Sequence, residues 1–236
     1  MKCLISGGCS FTTTHYTVNW PIFLAEKLNY TLEDTAVSSQ GNAQIARQIV
    51  HKVTKLLKDG VKSSDMLVGV VWSGTDRTEF FLDKVDPNVR FDPPFPACET
   101  TPVVNVGTGA DGGWRMVQPG FDSKYTEEYV EKYHNRIGGV IKTYESIHWV
   151  QTFLKFHNIK YFMSTYTDEV FGHGYDDNLN VAWIKDAIDY SKFLPVSSYY
   201  RYTHNEPVGP EHPTPEQSKD FAEQVIYPFI QKNYKI

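Results

Sequence analysis

Cysteine is scarce in this chain of 236 residues: there are three, Cys3, Cys9 and Cys98. The number is odd and no spacing matches a metal knuckle, which argues against a disulfide framework and a zinc site; three free thiols in a reducing compartment are expected. Long apolar runs are also missing. None approaches the roughly 20 residues that cross a bilayer. The opening "MKCLIS" is too short for the apolar region of a secretory leader, and Gly7, Gly8, Cys9 and Ser10 cut it off, so neither a signal peptide nor a membrane-embedded segment is expected. Positive charge is in deficit, with 23 Lys and Arg against 28 Asp and Glu and a net charge of −5. Binding nucleic acid by neutralising phosphates therefore has no support. A phosphate loop is absent too: "GTGADGG" (Gly107 to Gly113) lacks the Lys-Ser/Thr ending, and no strand leads into it.

What is present suits an ordinary folded chain. Hydrophobic residues make up 41% and charged residues 22%, which excludes a disordered protein. Aromatics reach 14%, more than a surface alone would use, and are read first as bulky core residues. No internal repeat, low-complexity tract or linker divides the sequence. A single α/β domain over residues 1–236 is expected.

The pattern along the chain is strand, helix, strand, helix, strand. "KCLISGG" reads as a buried strand ending in glycines. "WPIFLAEKLNY" has apolar residues at helical spacing, with Pro21 in the first turn, where proline is tolerated. "TLEDTAVSS" holds a short second strand. In "GNAQIARQIVHKVTKLLKDG", Ile45, Ile49, Val53, Leu56 and Leu57 form one stripe, and Gly60 stands where a C-cap belongs. "DMLVGVVW" is apolar throughout, as strands covered on both faces are. Such an alternation predicts a parallel sheet with right-handed crossovers. Ligands on these sheets sit beyond the carboxyl ends of the strands. "GGCSFT", "SSQGNAQ" and "SGTDRTEF" should therefore meet at one edge.

From Asp83 to Ser123 the chain is dense in Pro, Gly and Asp. So long a stretch without elements is often functional. It is read as an excursion over the binding edge, with room for a small hairpin, or as a docking surface for another chain. Beyond it, "YTEEYVEKYHNRIGGVIKTYESIHWVQTFLKFHN" predicts a long helix with a kink at Gly138-Gly139. "IKYFMSTY" predicts a fourth strand and "NVAWIKDAIDYSKFL" a short helix. The tail from Tyr199 reads as polar loop until "TPEQSKDFAEQVIYPFIQKN", a closing helix with Phe221, Ala222, Val225 and Ile226 on one face. "HGYDDN" (His173 to Asn178) is read as a solvated turn rather than a metal site, and His148 and His157 as surface or interface histidines.

A serine hydroxyl becomes a nucleophile when a base takes its proton, and the fold, not sequence proximity, brings the base. Ser10 follows the first strand, where its hydroxyl would face the ligand edge. Taken alone it reads as a turn former or helix cap. His212, in "EHPTPEQ", precedes the closing helix, and a helix packed beside the first strand would bring it near Ser10. Gly41 admits close backbone approach, and its N–H, with that of Ser10, would face an oxyanion. "TDRTEF" has a structural reading as well, with Arg77 and Glu79 pairing to fix the loop after the third strand.

The segments "GCSFT", "WPIFLAEKLNY", Gly41-Asn42, "VVWSGTDRTEF" and "HPTPEQ", in that order, resemble the SGNH or GDSL-type hydrolases. They are closest to the SGNH-like proteins with "GCSFT" found in bacteriophage and bacterial genomes. The resemblance implies a flavodoxin-like three-layer α/β/α sandwich with Ser10 as nucleophile and His212 as general base. Oxyanion donors would be the backbone of Ser10 and Gly41 and an Asn side chain. It implies cleavage of acyl or acetyl esters, those on glycans among them, with no metal and no cofactor, in the cytoplasm or a virion. Protein partners or a second copy would dock through residues 83–123.

The sequence departs from that pattern at three places. Cys9 stands where Asp often precedes the serine. The third block reads Gly74-Thr75-Asp76-Arg77 in place of Gly-x-Asn-Asp, and an ionised Asp76 would repel an oxyanion. Losing one oxyanion donor costs about 10²–10³ in rate; Arg77 or Asn42 would have to take over. Third, Val208-Gly209-Pro210 occupies the place of the triad acid, leaving the adjacent Glu211, Glu206 or a backbone carbonyl to orient the ring. A fold kept for binding or assembly, with a degraded site, is the competing reading.

Overall fold

The computed structural model describes residues 2–15, 17–82, 113–117, 128–129, 131–133, 135–171, 179–206 and 211–234. The first strand, β1 (Cys3–Gly8), is followed by α1 (Trp20–Leu28), β2 (Thr31–Asp34), α2 (Asn42–Lys58) and β3 (Met66–Trp72). Next come β4 (Thr78–Leu82), β5 (Gly113–Val117), α3 (Arg136–Phe156), β6 (Lys160–Thr165) and α4 (Leu179–Lys185). The chain closes with α5 (Tyr199–His204), α6 (Pro215–Asp220), a π-helical segment (Phe221–Ile226) and α7 (Tyr227–Asn233).

Four strands form a parallel sheet in the order β2-β1-β3-β6. Cys3 of β1 pairs with Thr31 on one side and Met66 on the other, and Leu67 of β3 pairs with Lys160. Side chains alternate across the strands, so each strand feeds two cores. One core joins Ile5, Val68, Val70, Trp72 and Met163 to α2, α3 and α4. The other joins Leu4, Leu67, Val71 and Phe162 to α1, α5 and the C-terminal helices. The apolar run of β3 follows: all seven of its residues are buried. Each fully buried Leu, Ile or Val contributes about 1.5–3 kcal/mol through removal from water.

Helix ends follow their caps. Asn19 accepts from Trp20 N–H at 2.9 Å to open α1, and Asn29 closes it in the left-handed region at φ 52°. The closing helix opens on a capping box: Thr214 accepts from Gln217 N–H, and the Gln217 side chain accepts from Thr214 N–H at 2.8 Å. Asn19 Oδ1 also accepts from the hydroxyls of Tyr199, at 3.0 Å, and Ser218, at 3.3 Å, which ties the C-terminal helices to the head of α1.

Three expectations are corrected. Gly138 and Gly139 do not kink a longer helix: α3 opens at the Asn135 cap, which accepts from Gly138 N–H, so both lie in its first turn. Gly139 packs directly against the backbone carbonyl of Thr75, a closeness that excludes a Cβ. The tail from Tyr199 is not loop. Ser198 caps α5 by accepting from Arg201 N–H at 3.2 Å, and Tyr199 and Tyr200 are buried. Six residues carry too short a pattern to declare that helix. Glu79 pairs with Arg47 of α2, at 3.4 Å, rather than with Arg77.

Residues 78–82 and 113–117 pair antiparallel as β4 and β5, the two arms of a hairpin at the mouth of the Pro/Gly-rich stretch. The remainder of that stretch, with Cys98, Phe91, Phe95 and Phe121, lies outside the described residues, as does His173 to Asn178. Cys3 and Cys9 are buried free thiols. Among the described residues no helix is long and apolar enough to cross a membrane, and no cluster of three His, Cys, Asp or Glu could hold a metal.

Candidate functional site

The segments that leave β1, β2, β3 and β6 converge at the carboxyl edge of the sheet. Val37 N–H donates to Gly8 O at 3.3 Å, and Tyr166 N–H donates to Trp72 O at 2.8 Å. Ser10 lies in a tight turn closed by the N–H groups of Thr12 and Thr13 on Cys9 O, at 2.9 and 3.0 Å. Asp34, at the end of β2, anchors the rest of this loop. It accepts from Ser6 Oγ at 2.7 Å, from Thr14 N–H at 2.8 Å and from Thr14 Oγ1 at 2.7 Å.

His212 arrives from the other end of the chain. Its ring stacks on Phe11, the residue after Ser10, with centroids 4.6 Å apart and planes 22° apart. Phe11 is itself buried, with Tyr166 packed on it at 4.8 Å. Partial burial and then the nearby Arg77 guanidinium push the imidazole's pKa below its ordinary value, which favours the neutral ring. Among the described residues no hydrogen bond joins His212 to Ser10 Oγ. Glu211 does not orient the ring. Its carboxylate accepts from Tyr200 Oη at 2.8 Å, and that bond draws its pKa down. The stack on Phe11 holds the imidazole instead.

Asn42 occupies a different role from oxyanion donor. It is buried, and its Nδ2 donates to Ser73 O at 3.0 Å and Thr143 Oγ1 at 2.9 Å, while its Oδ1 accepts from Ser73 N–H at 2.7 Å. Both amide hydrogens are thereby engaged, and the side chain ties α2, the loop after β3 and α3 together.

Gly41 opens α2, and the Glu79 carboxylate lies against it so closely that a Cβ there would collide with Oε1. The Glu79 side chain is 4% exposed. Burial raises its pKa and outweighs the opposing pull of Arg47 and of the Gly41 and Gln44 backbone amides. Oε1 nevertheless has no hydrogen-bond partner among the described residues. An anion at a helix N-terminus is favoured by the amides and the helix dipole; here the protein's own Glu79 carboxyl occupies that place.

In the third block, Asp76 folds back so that its Oδ1 lies beside Gly74. Arg77 turns the other way. Its Nη1 donates to Ser73 Oγ at 2.8 Å, and its guanidinium carbon lies 5.7 Å from the centre of the Tyr166 ring. Phe11, Tyr166 and the Glu79–Arg47 pair were not singled out as site residues from the sequence. The aromatic directly after Ser10 in "GCSFT" was the one available hint.

A family model described as a family of unknown function (DUF6071) matches residues 9–203, and the chain belongs to that family. No curated protein matches it.

Proposed function

We propose that the protein is an SGNH-type serine esterase that cleaves a short acyl ester, with a glycan acetyl ester as one candidate substrate. One observation carries the reading: the fold delivers a solvent-accessible histidine with a lowered pKa from near the C-terminus onto the residue next to Ser10, at the carboxyl edge of a parallel sheet. The strand order second-first-third-fourth, with helices on both faces, supports a flavodoxin-like three-layer sandwich.

In this mechanism Ser10 Oγ attacks the acyl carbon while His212 takes its proton. The imidazolium then returns that proton to the departing alcohol. Water attacks the acyl-enzyme with the same help, releasing the acid and restoring Ser10. The Ser10 and Gly41 N–H groups are the oxyanion donors, with Arg77 supplying charge. Ser10 and His212 come into hydrogen-bond reach as substrate fills the site, since such bonds often tighten only in the complex.

Glu79 favours a second reading. Its carboxyl group lies against the Gly41 amide, one of the two backbone donors that the esterase reading requires. On that reading the chain is a catalytically silent SGNH-fold module, for example a phage-particle component or a glycan-binding subunit, that docks through residues 83–123.

Short p-nitrophenyl acyl esters and a fluorophosphonate probe separate the two. The esterase reading expects turnover and labelling, both lost in Ser10→Ala with a fall of at least about 10³-fold. Equal labelling of the two proteins would remove Ser10 as nucleophile. Silence of the wild type on both assays would leave the second reading.

A further inference from the structure

The carboxyl edge is short of donors for a carbonyl oxygen. Glu79 lies against the Gly41 amide, both amide hydrogens of Asn42 are engaged, and Arg77 Nε is shut off from solvent. Tyr166 supplies one. It directly follows β6, and its backbone is pinned from both sides: its N–H donates to Trp72 O at 2.8 Å, and its O accepts from Tyr200 N–H at 2.9 Å. Its ring packs on Phe11, centroids 4.8 Å apart, and lies 5.7 Å from the guanidinium carbon of Arg77. Its Cε1 edge lies beside Gly74. Cε1 adjoins the carbon that bears the hydroxyl, so the hydroxyl emerges beside the loop after β3. Tyr199, Tyr200, Tyr202 and Tyr234 each donate the hydroxyl to a protein acceptor. The Tyr166 hydroxyl has no hydrogen bond among the described residues and, unlike Arg77 Nε, is open to solvent. A half-buried phenol ordinarily finds a partner for that group, and here a ligand has to provide it. Burial pushes the phenol's pKa up to about 12; Arg77 pulls the other way, and Cys9, Asp76 and Glu169 add to burial. The hydroxyl therefore keeps its proton at neutral pH and acts as a donor.

We propose that the Tyr166 hydroxyl is the side-chain hydrogen-bond donor to the acyl carbonyl oxygen of the ligand bound at this edge. Binding of the carbonyl holds whether or not Ser10 reacts; the catalytic consequence rests on the esterase reading. There, Ser10 Oγ bonds to the acyl carbon, its proton passes to His212, and the carbonyl π pair moves onto the oxygen. Tyr166 hydrogen-bonds that oxyanion without giving up its own proton. The pair then re-forms the C=O as the alcohol leaves with the proton from His212.

The test uses the full chain carrying Ser10→Ala, so that an ester is bound and not consumed, with tyrosine labelled with carbon-13 at Cζ and ethyl acetate as the probe. The Tyr166 resonance, assigned by its loss in Tyr166→Phe, should move saturably during the titration while those of Tyr199, Tyr200, Tyr202 and Tyr234 stay in place. With the His212 ring resonances as reporter, adding Tyr166→Phe should weaken ethyl acetate binding about three- to tenfold. Backbone amide spectra establish that each variant is folded. No saturable movement of the Tyr166 resonance, or equal affinity in the folded Tyr166→Phe variant, overturns the proposal. In the otherwise wild-type chain, Tyr166→Phe should lower kcat on p-nitrophenyl esters about 10²–10³-fold with KM little changed. A kcat equal to that of the wild type overturns the oxyanion role. A wild type silent on esters, with the Tyr166 resonance still moving in Ser10→Ala, removes the esterase reading and leaves the carbonyl donor standing, so the two failures are separate results.

Discussion

His212 and Glu79 are two titratable side chains pushed in opposite useful directions by the same force. Burial disfavours the charged form of each: it lowers the imidazole's pKa and raises the carboxyl's. For His212, Arg77 adds to burial. A base must be unprotonated to work, so kcat/KM should rise with pH through a midpoint below the ordinary histidine value of about 6.5. Arg77→Gln removes the repelling charge and should move that midpoint upward; an unmoved or lowered midpoint in the pH–rate profile would contradict the assignment. For Glu79 the folded pKa lies above the ordinary 4.5. Its contribution to stability is therefore fully present below that value and is lost as pH rises through the folded value. Glu79→Gln cannot ionise, so the fall in urea midpoint between about pH 4.5 and neutrality should be shallower than in the wild type. Neither effect was readable from the sequence. Ser10, His212 and Arg77 stood out there as residue types, but the lowering of the His212 pKa follows from neighbours that only folding supplies.

At the scale of elements, the junction of α2, α3 and the loop after β3 decides the shape of the site. Asn42 holds Ser73 from both sides and reaches Thr143 on α3, while Gly139 lets the first turn of α3 rest on Thr75. Adjacent glycines should then respond differently. Gly139→Ala forces a Cβ into the Thr75 carbonyl and should cost about 1–3 kcal/mol. The nearest atom to a Cβ on Gly138 is Asn135 Cβ at 3.8 Å. Gly138→Ala should therefore be neutral or gain up to about 1 kcal/mol of helix propensity. Urea denaturation of the pair checks this, and equal losses would refute the close approach. The sequence showed β1, α1, β2, α2, β3 and β6 clearly, because their apolar periodicity and end signals agree. It placed the glycine pair inside a longer helix, since the carbonyl they accommodate belongs to a distant loop. It passed over α5, where burial of Tyr199 and Tyr200 against α1 and the C-terminal helices, rather than a six-residue pattern, stabilises the helix.

The molecule as a whole has one parallel sheet with a core on each face, and strands shared by both cores should make them unfold together. Trp20 reports one core and Trp72 the other; each is fully buried. Fluorescence unfolding curves of Trp20→Phe and Trp72→Phe should each superimpose on the far-ultraviolet circular dichroism of the same variant. Two separate transitions would contradict a single cooperative unit. The parallel α/β architecture and the meeting of the segments after β1, β2 and β3 at the carboxyl edge were legible in the chain, because hydrophobic alternation and crossover handedness are local or near-local properties. The seating of His212 on Phe11, the diversion of Glu211 to Tyr200, the burial of Glu79 against Gly41 and the lack of an acceptor for Arg77 Nε among the described residues were not. Each depends on contacts between residues far apart in sequence, and such contacts exist only once the sheet and its two layers of helices have formed.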